Sequence, residues 1–165
     1  MDPVSAIPAE QPVPTTVTLD QLVAAQNFNR AIAAGIGAAF VGAIAWAVVT
    51  VITKSELGLM AVAVGFLVGR AIRATGHGID PKFGYLGAVC ALAGCLLGNL
   101  LSDIGFYANI RGIGFGQAVG DLDMALLSKL VTTFSQPMDL LFYGIAIYEG
   151  YKFSFKYRRL KPTAA

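Results

Sequence analysis

The chain has 165 residues, enough for one domain, with 56% hydrophobic and only 13% charged residues. That charged share is about half of what a soluble domain carries, so a water-soluble shell cannot be built from it. The formal net charge of +2 is too small to argue for nucleic acid as a partner, and the placement of charge matters more than its sum.

The apolar residues gather into long uncharged runs, for which the bilayer core is the natural solvent. Residues 1–29 contain Asp2, Glu10 and Asp20 but no Lys or Arg, unlike a secretory signal with its basic leading region. Pro3, Pro8, Pro12 and Pro14 predict a disordered tail over 1–18. Thr18-Leu19-Asp20-Gln21 fits a capping box, so a helix is expected to start near Leu19. Ala31 to Thr53 then runs 23 residues without a charge, long enough to span at about 1.5 Å per residue.

Lys54-Ser55-Glu56 predicts a short turn, and Leu57 to Gly69 is a further apolar run of 13 residues. It reaches spanning length, over about 57–74, if Arg70 and Arg73 extend their charged ends into the headgroups; a re-entrant segment is the alternative. Residues 75–82, TGHGIDPK, read as a turn, with Asp80 as N-cap and Pro81 as first residue of the next helix. Phe83 to Ser102 is uncharged for 20 residues and is a third span, with Asp103, Phe106 and Tyr107 marking its exit.

Gly112, Gly114, Gly116 and Gly120 are expected to break regular structure, leaving the Gly112–Gly116 run as a flexible turn. Asp121, Asp123 and Lys129 argue against a crossing there. Leu127, Leu130, Val131 and Phe134 keep helical spacing, which predicts an interfacial amphipathic helix over about 121–135. A fourth span is expected over about 138–155, started by Pro137 and followed by a basic tail over 158–165. The fold class is therefore all-α: an integral membrane four-helix bundle with an additional interfacial helix between spans 3 and 4, in a transmembrane domain over 19–157.

Four spans put nine basic residues (Arg30, Arg70, Arg73, Lys82, Lys152, Lys156, Arg158, Arg159 and Lys161) on one side and three (Lys54, Arg111 and Lys129) on the other. By the positive-inside rule both termini are cytoplasmic. Three or five spans would weaken that bias.

Small residues recur every four positions. Gly35, Ala39, Ala43 and Ala47 mark the first span, with Gly42 beside them; Ala61, Gly65 and Gly69 mark the second, and Cys90, Gly94, Gly98 and Ser102 the third. Lipid offers no apolar driving force between helices, so such residues promote association by letting backbones approach. The span midpoints fall near Gly42, Gly65, Gly94 and Ala146, which predicts a tightly packed bundle with little room for a pore. Gly35, Ala39, Gly42, Gly65, Gly69, Gly94 and Gly98 are the candidate packing residues.

Two stretches, Gly76 to Ala88 running into Leu92 to Asn99, and Asp139 to Phe153, resemble a group of small multi-pass bacterial membrane proteins with no established activity. The resemblance covers roughly 57–157. It implies the membrane fold and a bacterial inner-membrane location, and it adds no chemistry.

Two polar groups are candidate sites. Arg70, Arg73, His77 and Lys82, with Asp80, form a cytoplasmic cluster suited to an anion or, more simply, to lipid headgroups. Asn99, Asp103, Asp139 and Glu149 are candidates for a polar or ion path, against interfacial capping, interhelical hydrogen bonds, and pairing of Glu149 with Lys152. Cys90 and Cys95 would point about 140° apart on a helix, which disfavours a disulfide or a shared metal. No nucleophile-base pair or metal-ligand spacing stands out, so no cofactor is expected. The expected function is a non-catalytic structural or accessory subunit of a membrane assembly or homo-oligomer, with the bilayer, other membrane subunits or itself as partners. A small oligomeric transporter or channel is the alternative.

Overall fold

A computed structural model describes residues 19–54, 58–125, 128 and 137–156. Among these the chain is all-helical. The helices are α1 (Leu19–Ala24), α2 (Phe28–Thr53), α3 (Leu59–Gly76), α4 (Pro81–Arg111), α5 (Phe115–Gly120) and α6 (Pro137–Phe153). Three of them, α2, α3 and α4, are long and apolar enough to cross a membrane.

Local chemistry explains where the helices begin and end. Asn27 caps α2, its side chain accepting from the Arg30 N–H at 3.0 Å, and so satisfies one of the orphan donors of the first turn. Helix α3 ends on His77, held left-handed at φ 47°, whose N–H returns to the Arg73 carbonyl. Asp80 is extended and Pro81 is the first residue of α4, as expected, but the Asp80 side chain makes no cap bond and pairs with Lys82 at 3.0 Å. Gly112 ends α4 at φ 65°, and the Ile113 N–H reaches back to the Ala108 carbonyl. That bond is a Schellman closure, which needs the conformation glycine adopts without strain.

Helix α4 continues nine residues past Ser102, where the third span was expected to leave the membrane. Its 31 residues amount to about 46 Å at 1.5 Å per residue, against a core of about 30 Å. Asp103 is half-buried and does not interrupt the helix, whose backbone hydrogen bonds continue past it to Arg111. The glycine run after it is also more regular than expected. Gly114 caps α5 and Gly116 lies within it, while the Gln117 side chain accepts from the Gly114 N–H at 3.2 Å. Among the described residues α5 packs on the α4 overhang alone, where Ala118 is buried against Ile104 and Ala108. Of the interfacial helix expected over 121–135, residues 124, 125 and 128 are helical and most of the rest lies outside the described residues.

The four long helices pack with α3 and α4 in mutual contact at the centre. Helix α2 lies against both on one side and α6 against both on the other; α2 and α6 do not touch among the described residues. The chain runs alternately along this stack. The start of α2, the end of α3, the start of α4 and the end of α6 meet at one end, tied by Asn27 N–H to Gly76 O at 2.9 Å and Lys156 N–H to Gly78 O at 3.1 Å.

Contacts at the middle of the stack are close. Val64, 2% exposed, sits between Gly42 and Gly94, where an added Cβ would stand 3.1 Å and 2.9 Å from its methyl groups. Its neighbour Gly65 faces the other way, onto α6, and a Cβ there would stand 2.5 Å from the Ala146 carbonyl oxygen and 2.9 Å from its Cα. A backbone neighbour cannot rotate aside, so a side chain at Gly65 must push α6 away. Gly65→Leu is expected to cost at least about 1–3 kcal/mol, as overpacked cores do, and to lower folded yield and thermal midpoint in detergent. Gly37→Leu, at an exposed position with nothing within 4 Å, is the control and should leave both unchanged. Equal behaviour of the two variants would contradict this account of the stack.

Candidate functional site

Among the described residues two groups of polar side chains stand out, one toward each end of the stack. At the stitched end, Arg73 and His77 from the last turn of α3 face Lys156, just beyond α6. With Leu22, Gly78 and Ile79 they line a cavity of about 310 Å³. The loop that forms its floor is fixed by the Gln26 side chain, which accepts from the Ile79 N–H at 3.3 Å, and by the bond from Lys156 to Gly78.

Two members of the sequence-derived cluster lie elsewhere. Arg70 is exposed, its guanidinium 5.9 Å from the Phe66 ring centroid. Lys82 pairs with Asp80 and lies 5.7 Å from the Phe83 centroid and 6.0 Å from that of Phe28. These rings stack edge to face at 5.3 Å. Both cations are thus accommodated on aromatic faces and an acid, as interfacial cations commonly are. Lys156 was missed as a cavity residue, because its approach to the 77–79 loop is a contact between positions nearly 80 apart that no local pattern encodes.

Toward the other end, Asn99 of α4 donates its amide to the Tyr143 hydroxyl of α6. Tyr143 is buried and Asn99 half-buried. Ser102, one turn from Gly98, is buried and donates to the Gly98 carbonyl at 2.8 Å. Asp103 is half-buried one turn beyond Asn99, and the Asp139 side chain lies outside the described residues. The structure does not bring Glu149 to these groups. It sits four residues from the end of α6, half-buried, with its carbonyl 3.3 Å from where a Cβ on Gly69 would stand. The expected ion pair with Lys152 is not formed either; the Lys152 ammonium lies instead over the Tyr148 ring at 5.3 Å and the Phe153 ring at 6.0 Å. Lys152 is exposed, and an exposed ion pair is worth so little that contact with the two flanking rings competes with it.

The packing residues are placed one by one. Gly35 faces Ile72 and Cys90, Gly69 faces Phe153, and Gly98 faces the Trp46 ring. Ala39 lies against Gly94. A close approach of two backbones escaped the sequence reasoning. Gly87 and Gly150 let α4 and α6 meet backbone to backbone, and a Cβ on Gly150 would stand 2.5 Å from the Gly87 carbonyl oxygen. Ala146 and Gly150, four apart, were the available signal. Among the described residues no group of three His, Cys, Asp or Glu side chains could hold a metal ion. Cys90 and Cys95 are buried and free.

The Asn99–Tyr143 bond joins α4 to α6 away from the glycine contacts, and interhelical hydrogen bonds of this kind contribute about 0.6 kcal/mol and at most about 1.7. Tyr143→Phe is therefore expected to lower the thermal midpoint in detergent slightly while leaving the fold intact. A midpoint equal to the parent's would show that the bond contributes nothing. Comparison of the chain with protein-family models, with curated proteins and with solved structures gives no match.

Proposed function

We propose that the protein is a non-catalytic multi-pass membrane subunit of a bacterial cytoplasmic (inner) membrane, crossing four times with both termini in the cytoplasm. It packs as a structural or accessory element within a larger membrane assembly or a homo-oligomer. The observation that carries this reading is the mid-depth layer. Val64 fills the space between Gly42 and Gly94 while Gly65 backs onto Ala146, so the described helices leave no lumen at that depth. What remains available to a partner is the outer surface, where Ile36, Phe40, Val41, Ile44, Val48 and Ile52 of α2 are exposed. Such a surface suits acyl chains and apolar faces of other subunits.

The fourth crossing is supported by α6 lying along α3 and α4, with Ala146 against Gly65 near the middle of α3 and Gly150 against Gly87 nearer the stitched end. Its 17 residues make about 26 Å, a shortfall from the core of about 30 Å that local thinning and snorkelling absorb. The orientation is supported by charge. Arg30, Arg70, Arg73, Lys82, Lys152 and Lys156 lie toward the stitched end, against Lys54 and Arg111 toward the other, among the described residues. Basic residues stay on the cytoplasmic side during insertion.

A second reading, a small oligomeric transporter or channel, draws on Asn99, Tyr143 and Asp103 gathering in the half of the stack remote from the basic end. An oligomer would have to enclose the path.

The chain should resist extraction by alkaline carbonate, and reporters fused to either end should both score as cytoplasmic. Purification in mild detergent should retain a second membrane protein or a defined oligomer. Solute flux in liposomes that Asn99→Ala and Asp103→Asn abolish would replace the subunit reading with the transporter.

A further inference from the structure

We propose that Arg73, His77 and Lys156 form a receptor for a phosphate group, supplied by the headgroup of an anionic phospholipid in the adjoining leaflet. The inference rests on the reading above that the stitched end lies at the cytoplasmic surface of the bilayer.

The first support is the balance of charge in the cavity. Among the described residues its lining contributes two basic side chains and an imidazole but no acid, and the neighbouring carboxylate of Asp80 is engaged by Lys82 at 3.0 Å. Cations gathered from separate segments repel one another, and a phosphate between them removes that repulsion while accepting several charge-assisted hydrogen bonds. The guanidinium presents a planar fork and the ammonium a point donor, a pairing that suits a tetrahedral anion.

The second support is construction. The cavity is assembled from three places in the chain: Leu22 in α1, residues 73–79, and Lys156. Hydrogen bonds from Ile79 N–H to Gln26 and from Lys156 N–H to Gly78 hold these together. His77 occupies the left-handed position that ends α3, φ 47°, although glycines stand on both sides of it in the sequence. That position is most easily filled by glycine. The choice of histidine there places an imidazole on the cavity wall at the expense of backbone ease, and such outliers gather at binding sites.

The third support is shape and depth. At about 310 Å³ the cavity lies at the lower edge of the range for small-molecule sites, larger than a bare phosphate needs. Leu22 and Ile79 supply an apolar wall beside the cations, the arrangement required by a headgroup whose phosphate continues into glycerol and acyl chains. The cavity opens level with the ends of α3 and α6, which is where the phosphate plane of a leaflet meets a bundle of this thickness.

The test uses the full-length protein in a neutral detergent, with thermal unfolding followed through the single tryptophan, Trp46. Phosphatidylglycerol, phosphatidylcholine and inorganic phosphate are titrated separately. Phosphatidylglycerol should raise the midpoint at concentrations where phosphatidylcholine does not. Arg73→Gln and Lys156→Gln should each raise the concentration needed about fivefold, the factor for one basic contact at a membrane surface, while Arg111→Gln at the opposite end should leave it unchanged. Lys156 is exposed, so its replacement carries the test even if Arg73→Gln folds poorly. Equal protection by the two lipids, or an unaltered requirement in Lys156→Gln, overturns the proposal. Protection by inorganic phosphate alone, with nothing added by phosphatidylglycerol, overturns the lipid as source. The assay takes place in micelles, so its result is independent of carbonate extraction and reporter topology, and either proposal can fail without the other.

Discussion

Every other feature of the stack depends on the approach of backbones at mid-depth. In water a helix face is driven inward by the removal of apolar surface from solvent, but acyl chains solvate leucine as well as another leucine does. Attraction must then come from dispersion at short range, which falls steeply with a gap of even half an ångström. Gly42 and Gly94 receive Val64, and Gly65 meets the backbone of Ala146. Adjacent residues on one helix thereby bind both flanking helices, so α3 cannot shift along either without losing contact with the other. This is why α2 and α6 need not touch: each is fixed against the same central pair.

The two ends of the stack are finished differently, and the difference follows from what each must meet. At the basic end, successive helix termini are joined by backbone and side-chain hydrogen bonds, including Asn27 to Gly76, Gln26 to Ile79 and Lys156 to Gly78. Terminal donors and acceptors are satisfied by one another, which keeps the helix ends in register. At the other end α4 outruns its neighbours and carries a small cluster of its own, Ile104, Ala108 and Ala118. That cluster is held by one helix-on-helix contact and a Schellman closure. It is an appendage to the stack rather than part of its support.

The sequence made the helices legible because uncharged length is a direct physical requirement of crossing lipid; the expected spans over 31–53 and 83–102 lie within α2 and α4. It also pointed to the depth at which small residues would gather, since Gly42, Gly65, Gly94 and Ala146 are midpoints of runs whose ends are marked by charge. What it could not carry was anything that depends on angle between helices. Gly87 and Gly150 meet because α4 and α6 cross there, and Lys156 joins Arg73 and His77 because the chain turns back over the 77–79 loop. The length of α4 was not legible for a different reason: the bilayer limits a span, but not the helix that contains it, and the chain stayed helical until Gly112 supplied the left-handed residue. Lys152 took the rings of Tyr148 and Phe153 over Glu149, because a helix offers a flexible cation several surfaces and spacing alone does not rank them.

The polar groups of the buried stack are uneven in a way that bears on how it would move. On the basic side, the glycine approaches are joined by edge-to-face ring pairs between helices, Phe28 with Phe83, Phe66 with Phe153 and Tyr85 with Tyr151, and the described hydrogen bonds between helices lie at the termini. On the other side, Asn99 and Tyr143 bond across helices, but the indole N–H of Trp46 and the hydroxyl of Thr50 are buried without a partner among the described residues. Each such group left unsatisfied costs about 1–3 kcal/mol, a cost released when the helices separate enough to let another polar group in. Local opening starts where the free-energy cost is smallest. Among the described residues the cost of unsatisfied groups falls on the half of the stack around Trp46 and Thr50, whereas the stitched end satisfies its termini with one another.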